Sequence, residues 1–206
     1  MTAPVISSAT DLRIETKIEE NYILEKRVEK STNILQATET EVRLDVGNQS
    51  SFLVDLKTGK LKVLNHKAKI VEEERPGTVI AKIGALIRGE TPVRLKDWKA
   101  TGKTEKIADH ECKIYREDVE LMQTDFWVAT TGFEEYGKLS QEVKRAMQVL
   151  GNEVIFQASP PCMILKEEGG LKNALMTTKT STFSFADIPS GTLLKVPADY
   201  QPGEVF

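Results

Sequence analysis

Cysteine and histidine are both scarce in this sequence, and that scarcity narrows its chemistry. The 206 residues include only two cysteines, Cys112 and Cys162, and two histidines, His66 and His110. Two cysteines cannot build the dense disulfide framework of a small secreted scaffold. They either form one bridge closing a loop of about fifty residues or stay two buried thiols. A strand through Asp109-His110-Glu111-Cys112 sets His110 and Cys112 on one side and the two acids on the other. A full zinc set is therefore hard to assemble. Cys112 with His66 would be a nucleophile pair with no glycine-rich elbow or oxyanion arrangement beside it. Gly102-Lys103-Thr104 is not a phosphate loop, because Asp97 stands where that motif needs glycine and a strand follows. The expectation is a protein without catalysis, metal or cofactor.

A basic surplus is missing as well. The net charge of -3 and a pI near 5.6 give no footprint for nucleic acid, so none is expected as a partner. Lysines between Lys57 and Lys69 alternate with other residues and read as solvated strand faces. No apolar run approaches the ~20 residues that a membrane-spanning helix requires, so no transmembrane segment is expected. The opening MTAPVISSATDLR has no basic start followed by an apolar core. That fits a cytoplasmic chain, or an exported one whose leader has been removed.

What the sequence does have is period-two alternation. Leu12, Ile14, Thr16 and Ile18 alternate with charged residues, as do Val42 and Leu44. SFLVDLKTGKLKVL reads as a hairpin with Phe52, Val54 and Leu56 on one side, a turn at Thr58-Gly59, and Leu61 and Val63 returning. Asp55, Lys57, Lys60 and Lys62 make its other face wet. Thr101–Trp127 reads as two more strands. Further strands are expected in GNEVIFQA, PPCMILKEE, LKNALMTTKTSTFSFADI and LLKVP, with Gly169-Gly170 as a turn. Two segments change period. TVIAKIGALIRGE has helical spacing at Ile80, Ile83 and Ile87, and Phe133–Leu150 repeats apolar residues every three or four positions. The resulting fold class is α+β, mainly antiparallel β, in a single domain over residues 11–202 with flexible ends at 1–10 and 203–206. Trp127 is expected on the apolar side of a central strand, and Trp98 in a more exposed place.

GKTEKIADHECKIYRED, the Trp127 strand, a helix, PPCMIL and the closing FSFADIPSGTLLKVPADYQP together resemble a family of bacterial envelope domains of unknown function. The hairpin SFLVDLKTGKLKVLNHKAKIV fits the same pattern. Ala108-Asp109 departs from it where Ile-Gly is usual, and Val71 and Leu194 replace aromatics. That family has a fold similar to the periplasmic lipoprotein carriers (LolA-like). The resemblance implies a strongly curved, incomplete barrel with one or two helices packed on the concave face. It also implies a periplasmic or otherwise exported location and a hydrophobic groove for a lipid-like or acyl ligand. An envelope protein is the other partner it suggests. The groove candidates are Phe52, Val54, Trp127, Phe133, Tyr136, Met147, Phe156 and Met163. The helix Phe133–Leu150 would be a lid hinged at Thr130-Thr131-Gly132 and Gly151-Asn152. The plainer alternative is an interaction module in which the same side chains close the core.

Overall fold

The computed structural model describes residues 11–75, 77–88, 98–129, 131, 138–150, 163–171 and 174–205. The alternation seen in sequence becomes long strands at once. β1 (Asp11–Tyr22) turns back into β2 (Arg27–Ala37). The short strands β3 (Glu41–Val46), β4 (Ser50–Asp55), β5 (Lys60–Asn65) and β6 (Ile70–Glu73) follow as a meander. Helix α1 (Val79–Arg88) precedes β7 (Lys99–Ile107), β8 (His110–Val119) and β9 (Met122–Ala129). Helix α2 (Gln141–Val149) then leads to β10 (Met163–Leu171), β11 (Leu175–Ala186) and β12 (Gln201–Pro202). Among the described residues the strands form one sheet in the order β12-β6-β5-β4-β3-β2-β1-β11-β10-β9-β8-β7. All neighbours are antiparallel except β12 on β6.

Two halves of the chain meet where β11 returns to β1, paired from Asp11↔Ala186 to Tyr22↔Leu175. Among the described residues the sheet ends at β12 and β7 and does not close. It does curve strongly. β8 and β11 are separated by two strands, roughly 14 Å apart in a flat sheet. The His110 and Phe183 rings on those strands nevertheless lie 5.1 Å apart. Edge strand β7 exposes Lys99, Lys103, Glu105 and Lys106, charges that discourage pairing with another chain.

The inner face carries the main core. Leu12, Ile14, Leu35, Val42, Leu44, Val54, Leu61 and Val63 join one buried cluster with Ile114, Trp127, Met163 and Leu165. Both helices cover it, α1 touching β5 and α2 touching β3 and α1. Their starts are capped: Thr78 Oγ1 accepts from the Ala81 amide at 3.1 Å, and Ser140 Oγ from the Val143 amide at 3.3 Å. The Ser140 cap also explains a correction. The helix expected over Phe133–Leu150 starts at Gln141, because Lys138–Ser140 form a turn and a cap; positions 132–137 lie outside the described residues.

Three further expectations change. The outer face of the hairpin β4–β5 is not uniformly wet, since Leu53 and Leu64 there are as buried as Val54 and Val63. The cover is the carboxyl-terminal tail. LLKVP, expected as a strand, runs instead as turns and extended chain across this face. Arg43 Nη1 donates to the Lys195 carbonyl at 3.4 Å, the Gly191 amide donates to Glu41 at 2.8 Å, and Leu193 is only 2% exposed. β12 then pairs with β6. Gly203 donates to the Val71 carbonyl, and the Val205 amide donates to the buried Glu72 carboxylate at 2.7 Å. Gly203 and Val205 are thus both tied to β6. Gly169-Gly170 is not a turn either; both lie in β10, and a Cβ on Gly169 would come within 2.5 Å of Thr124 Oγ1. The chain reverses beyond Leu171.

Candidate functional site

The helix-covered interior is the place where the expected groove residues meet. Val54, Trp127, Met147 and Met163 all belong to the main cluster, and Phe52 packs against it half-buried. β4 positions Phe52 and Val54 by pairing them with Val63 and Leu61. Met147 projects from α2 with Val143 and Ala146, all three fully buried on one stripe of that helix. Met163 begins β10 opposite Ala129, and a bulge after Ile164 lets Met163, Ile164 and Leu165 be buried in succession. Phe133, Tyr136 and Phe156 lie outside the described residues.

Trp127 has polar company in this interior. Its strand β9 lies between β8 and β10, opposite Ile114 and Lys166. The indole Nε1 donates to Glu105 Oε2 at 2.6 Å, and the Lys166 ammonium sits 4.2 Å from the ring centroid. The indole body is therefore in the core while its N–H meets an exposed carboxylate. Trp98 is less secluded, as expected, but not free. It stacks on Phe126 at 4.1 Å with the planes 9° apart. That pair belongs to a second, smaller cluster with Val128, Ile164 and Tyr115. Phe126 is thus core, but of this second cluster.

Cys112 and His66, which could have been a reactive pair, are not brought together. Cys112 is a free, buried thiol in the wall of the main cluster, its Sγ 3.7 Å from the His110 carbonyl oxygen. Burial pushes this thiol up and holds it in the unreactive form. In a Cys162→Ser protein, Ellman's reagent should leave Cys112 unmodified until denaturant is added; rapid reaction of the folded chain would show that the β8 wall is open. His66 sits on the opposite, tail-covered face. Its Nε2 lies 2.7 Å from Ser51 Oγ and its Nδ1 2.5 Å from the Tyr200 hydroxyl. Ser51 also donates to Asp45, which accepts from Arg43 Nε at 2.8 Å. Ser51 is 0% exposed, so no substrate reaches its hydroxyl. This network pins the tail; sequence reading missed it because Ser51, His66 and Tyr200 are far apart along the chain.

Described residues line a larger and a smaller cavity. The larger, about 1430 Å³, is an open polar trough where β1, β2 and β11 run past the β3–β4 turn, lined by Lys17, Lys30, Thr32 and Thr180 among others. None of the expected groove residues lines it. The smaller, about 420 Å³, lies at the seam between α1 and the sheet. Ala81 and the buried Leu61 border it, and Lys60, Lys62, Glu73 and Glu74 frame it. Lys62 Nζ is 2.7 Å from Glu73, and that hydrogen bond holds the Glu73 carboxyl below its usual range. On α2, burial lowers the Lys144 ammonium from its ordinary value. The seam therefore has a charged mouth over a core residue, since Leu61 is itself 1% exposed.

No family model matches the sequence, and no curated protein matches it. Among solved structures, a LolA superfamily protein from Nitrosomonas europaea is 10% identical, with 90% of this chain aligned to 90% of that one and a TM-score of 0.36. A DUF1329 family protein from Desulfovibrio piger is 9% identical, with 92% and 91% covered and a TM-score of 0.38. PNGF-II is 11% identical over 93% of this chain, with a TM-score of 0.42. This chain spans only 31% of the length of PNGF-II.

Proposed function

We propose that this protein is a non-catalytic, exported binding domain that holds a lipid-like or acyl ligand between its helix pair and the curved sheet. The observation that carries this reading is the α1 seam, whose cavity of about 420 Å³ reaches the core residue Leu61. That volume falls within the range of roughly 300–1,000 Å³ usual for small-molecule sites. The side chains by which the helices face the sheet are apolar and non-directional, so they can repack around a guest. Met147 and Met163 supply adaptable surface on α2 and β10. The Lys62–Glu73 pair would meet the polar end of such a ligand at the mouth, and Val54 and Trp127, which do not border the cavity as it stands, would meet its chain once the helices part from the sheet.

A second reading has its own support. Val54, Trp127, Met147 and Met163 are at most 5% exposed, as in a closed core. An interaction module without a small-molecule ligand would look the same. One experiment separates the two. An environment-sensitive fluorescent fatty acid should bind the chain at micromolar protein, and a cysteine pair tethering α2 to β3 should abolish that binding until it is reduced. Binding by neither form sinks the carrier reading in favour of the closed module. Equal binding by both forms sinks the movable helix.

A further inference from the structure

The large apolar side chains that stand exposed among the described residues are Ile23, Leu24, Val28, Val119, Leu121, Met122 and Leu171. They come from three parts of the chain, yet the strand register gathers them at one end of the sheet. The pairs Arg27↔Tyr22, Tyr22↔Leu175, Leu171↔Leu175, Leu171↔Met122 and Val119↔Met122 form a single row across β2, β1, β11, β10, β9 and β8. That end also projects. β3 pairs with β2 only from Asn33 to Ala37, so Arg27–Thr32 extend past it by about 20 Å at strand rise.

The turns themselves are unusual. Val119 pairs with Met122, leaving Glu120-Leu121 as a two-residue loop in which Glu120 takes φ 49°. Such positions ordinarily carry Gly, Asn or Asp. The β1–β2 loop Ile23–Lys26 likewise spends its tip on leucine and gives Lys26 φ 52°. Leu121 and Leu24 are the most exposed of the set, at 73% and 79%, and exposure falls to between 40% and 50% behind them. Sequence choices that break local turn chemistry without adding to the core mark a functional surface.

We propose that this projecting rim enters the interfacial layer of a lipid bilayer. The apolar residues are separate points on convex turns, interleaved with Glu25, Lys26, Arg27 and Glu120. A rigid protein partner covering them would have to bury those charges. A bilayer takes each point between lipids and leaves the charges among the headgroups. Behind the leucines, Tyr22 holds Arg27 at 4.1 Å over its ring, an aromatic and a cation at headgroup depth. Acidic residues Glu25, Glu29, Asp118 and Glu120 outnumber Lys26 and Arg27 on these tips. The contact is therefore driven by apolar insertion, not by attraction to anionic lipid. It does not depend on ligand uptake beneath the helices.

Flotation of the full chain with phosphatidylcholine vesicles tests this. The protein should float, no better when phosphatidylglycerol is added, and should stay bound at high salt. The double variant Leu24→Ser, Leu121→Ser should lower the bound fraction at least tenfold with an unchanged unfolding midpoint, and Leu24→Ser alone should lower it in part. The chain tethered at α2 should float like the untethered one. No flotation, binding confined to anionic vesicles and lost with salt, or full binding by the double variant would each overturn the proposal. So would a concentration-dependent dimer that the double variant abolishes without any vesicle binding by the parent, because the rim would then be a contact between copies of this chain.

Discussion

Trp127→Ala is expected to lower the unfolding free energy by about 3–5 kcal/mol, read from urea denaturation. The indole is 5% exposed and contacts the cluster that joins both halves of the sheet to the helices. Removing it leaves a void that neighbours on paired strands cannot fill without breaking register. It also orphans the carboxylate of Glu105, which is exposed and can turn to water, and the ammonium of Lys166, whose cation–π contact is worth on the order of 0.5–1 kcal/mol. The cavity term therefore dominates. Trp98→Ala should cost less, because Trp98 is half-buried and belongs to the smaller cluster; its stacking on Phe126 accounts for roughly 0.5–1.5 kcal/mol beyond simple area burial. If the two variants lose equal stability, Trp127 is not the anchor of the main core.

Leu193→Ala is expected to cost about 2–5 kcal/mol, nearly as much, although its segment has no regular structure. The tail is held by side chains that span the whole meander: Glu41 on β3, His66 beyond β5, and Glu72 on β6. Leu193 supplies the buried apolar contact in that clasp. Without it, Leu53 and Leu64 lose cover, so amide exchange should speed up in β4 and β5 as well as in the tail. The Lys69–Asp199 pair contributes little by comparison, since both side chains are more than half exposed. A loss below 1 kcal/mol in Leu193→Ala would mean that the tail lies on the sheet without stabilising it.

Much of this molecule is legible in its sequence. Alternation between side chains is a local property of an extended backbone, so Leu12, Ile14, Val42, Leu44, Val54, Leu61 and Val63 announce the inner face by spacing alone. Helical spacing at Ile80 and Val143–Met147 did the same for the helices, and Trp127 fell on the buried side as its strand pattern required. Boundaries were weaker. Periodicity continues through Lys138–Ser140, but a serine hydroxyl that caps the first turn ends the helix there, a competition between backbone and side chain that apolar spacing does not record.

The rest was decided by contacts between distant residues. Leu53 and Leu64 look like a wet face until the tail arrives from more than a hundred positions downstream. Gly169-Gly170 looks like a turn until Thr124, on a neighbouring strand, fills the space a side chain would need. Of the groove candidates, the structure brings Val54, Trp127, Met147 and Met163 into one cluster, which spacing could only suggest. The apolar rim is the clearest case. Leu24, Leu121 and Leu171 are ordinary leucines in sequence, and only the register of six strands sets their tips in a row beyond the core. Local pattern determined which side of each strand is apolar, because that is geometry within one strand. Which of those sides is covered, and by what, was left to pairing across the fold.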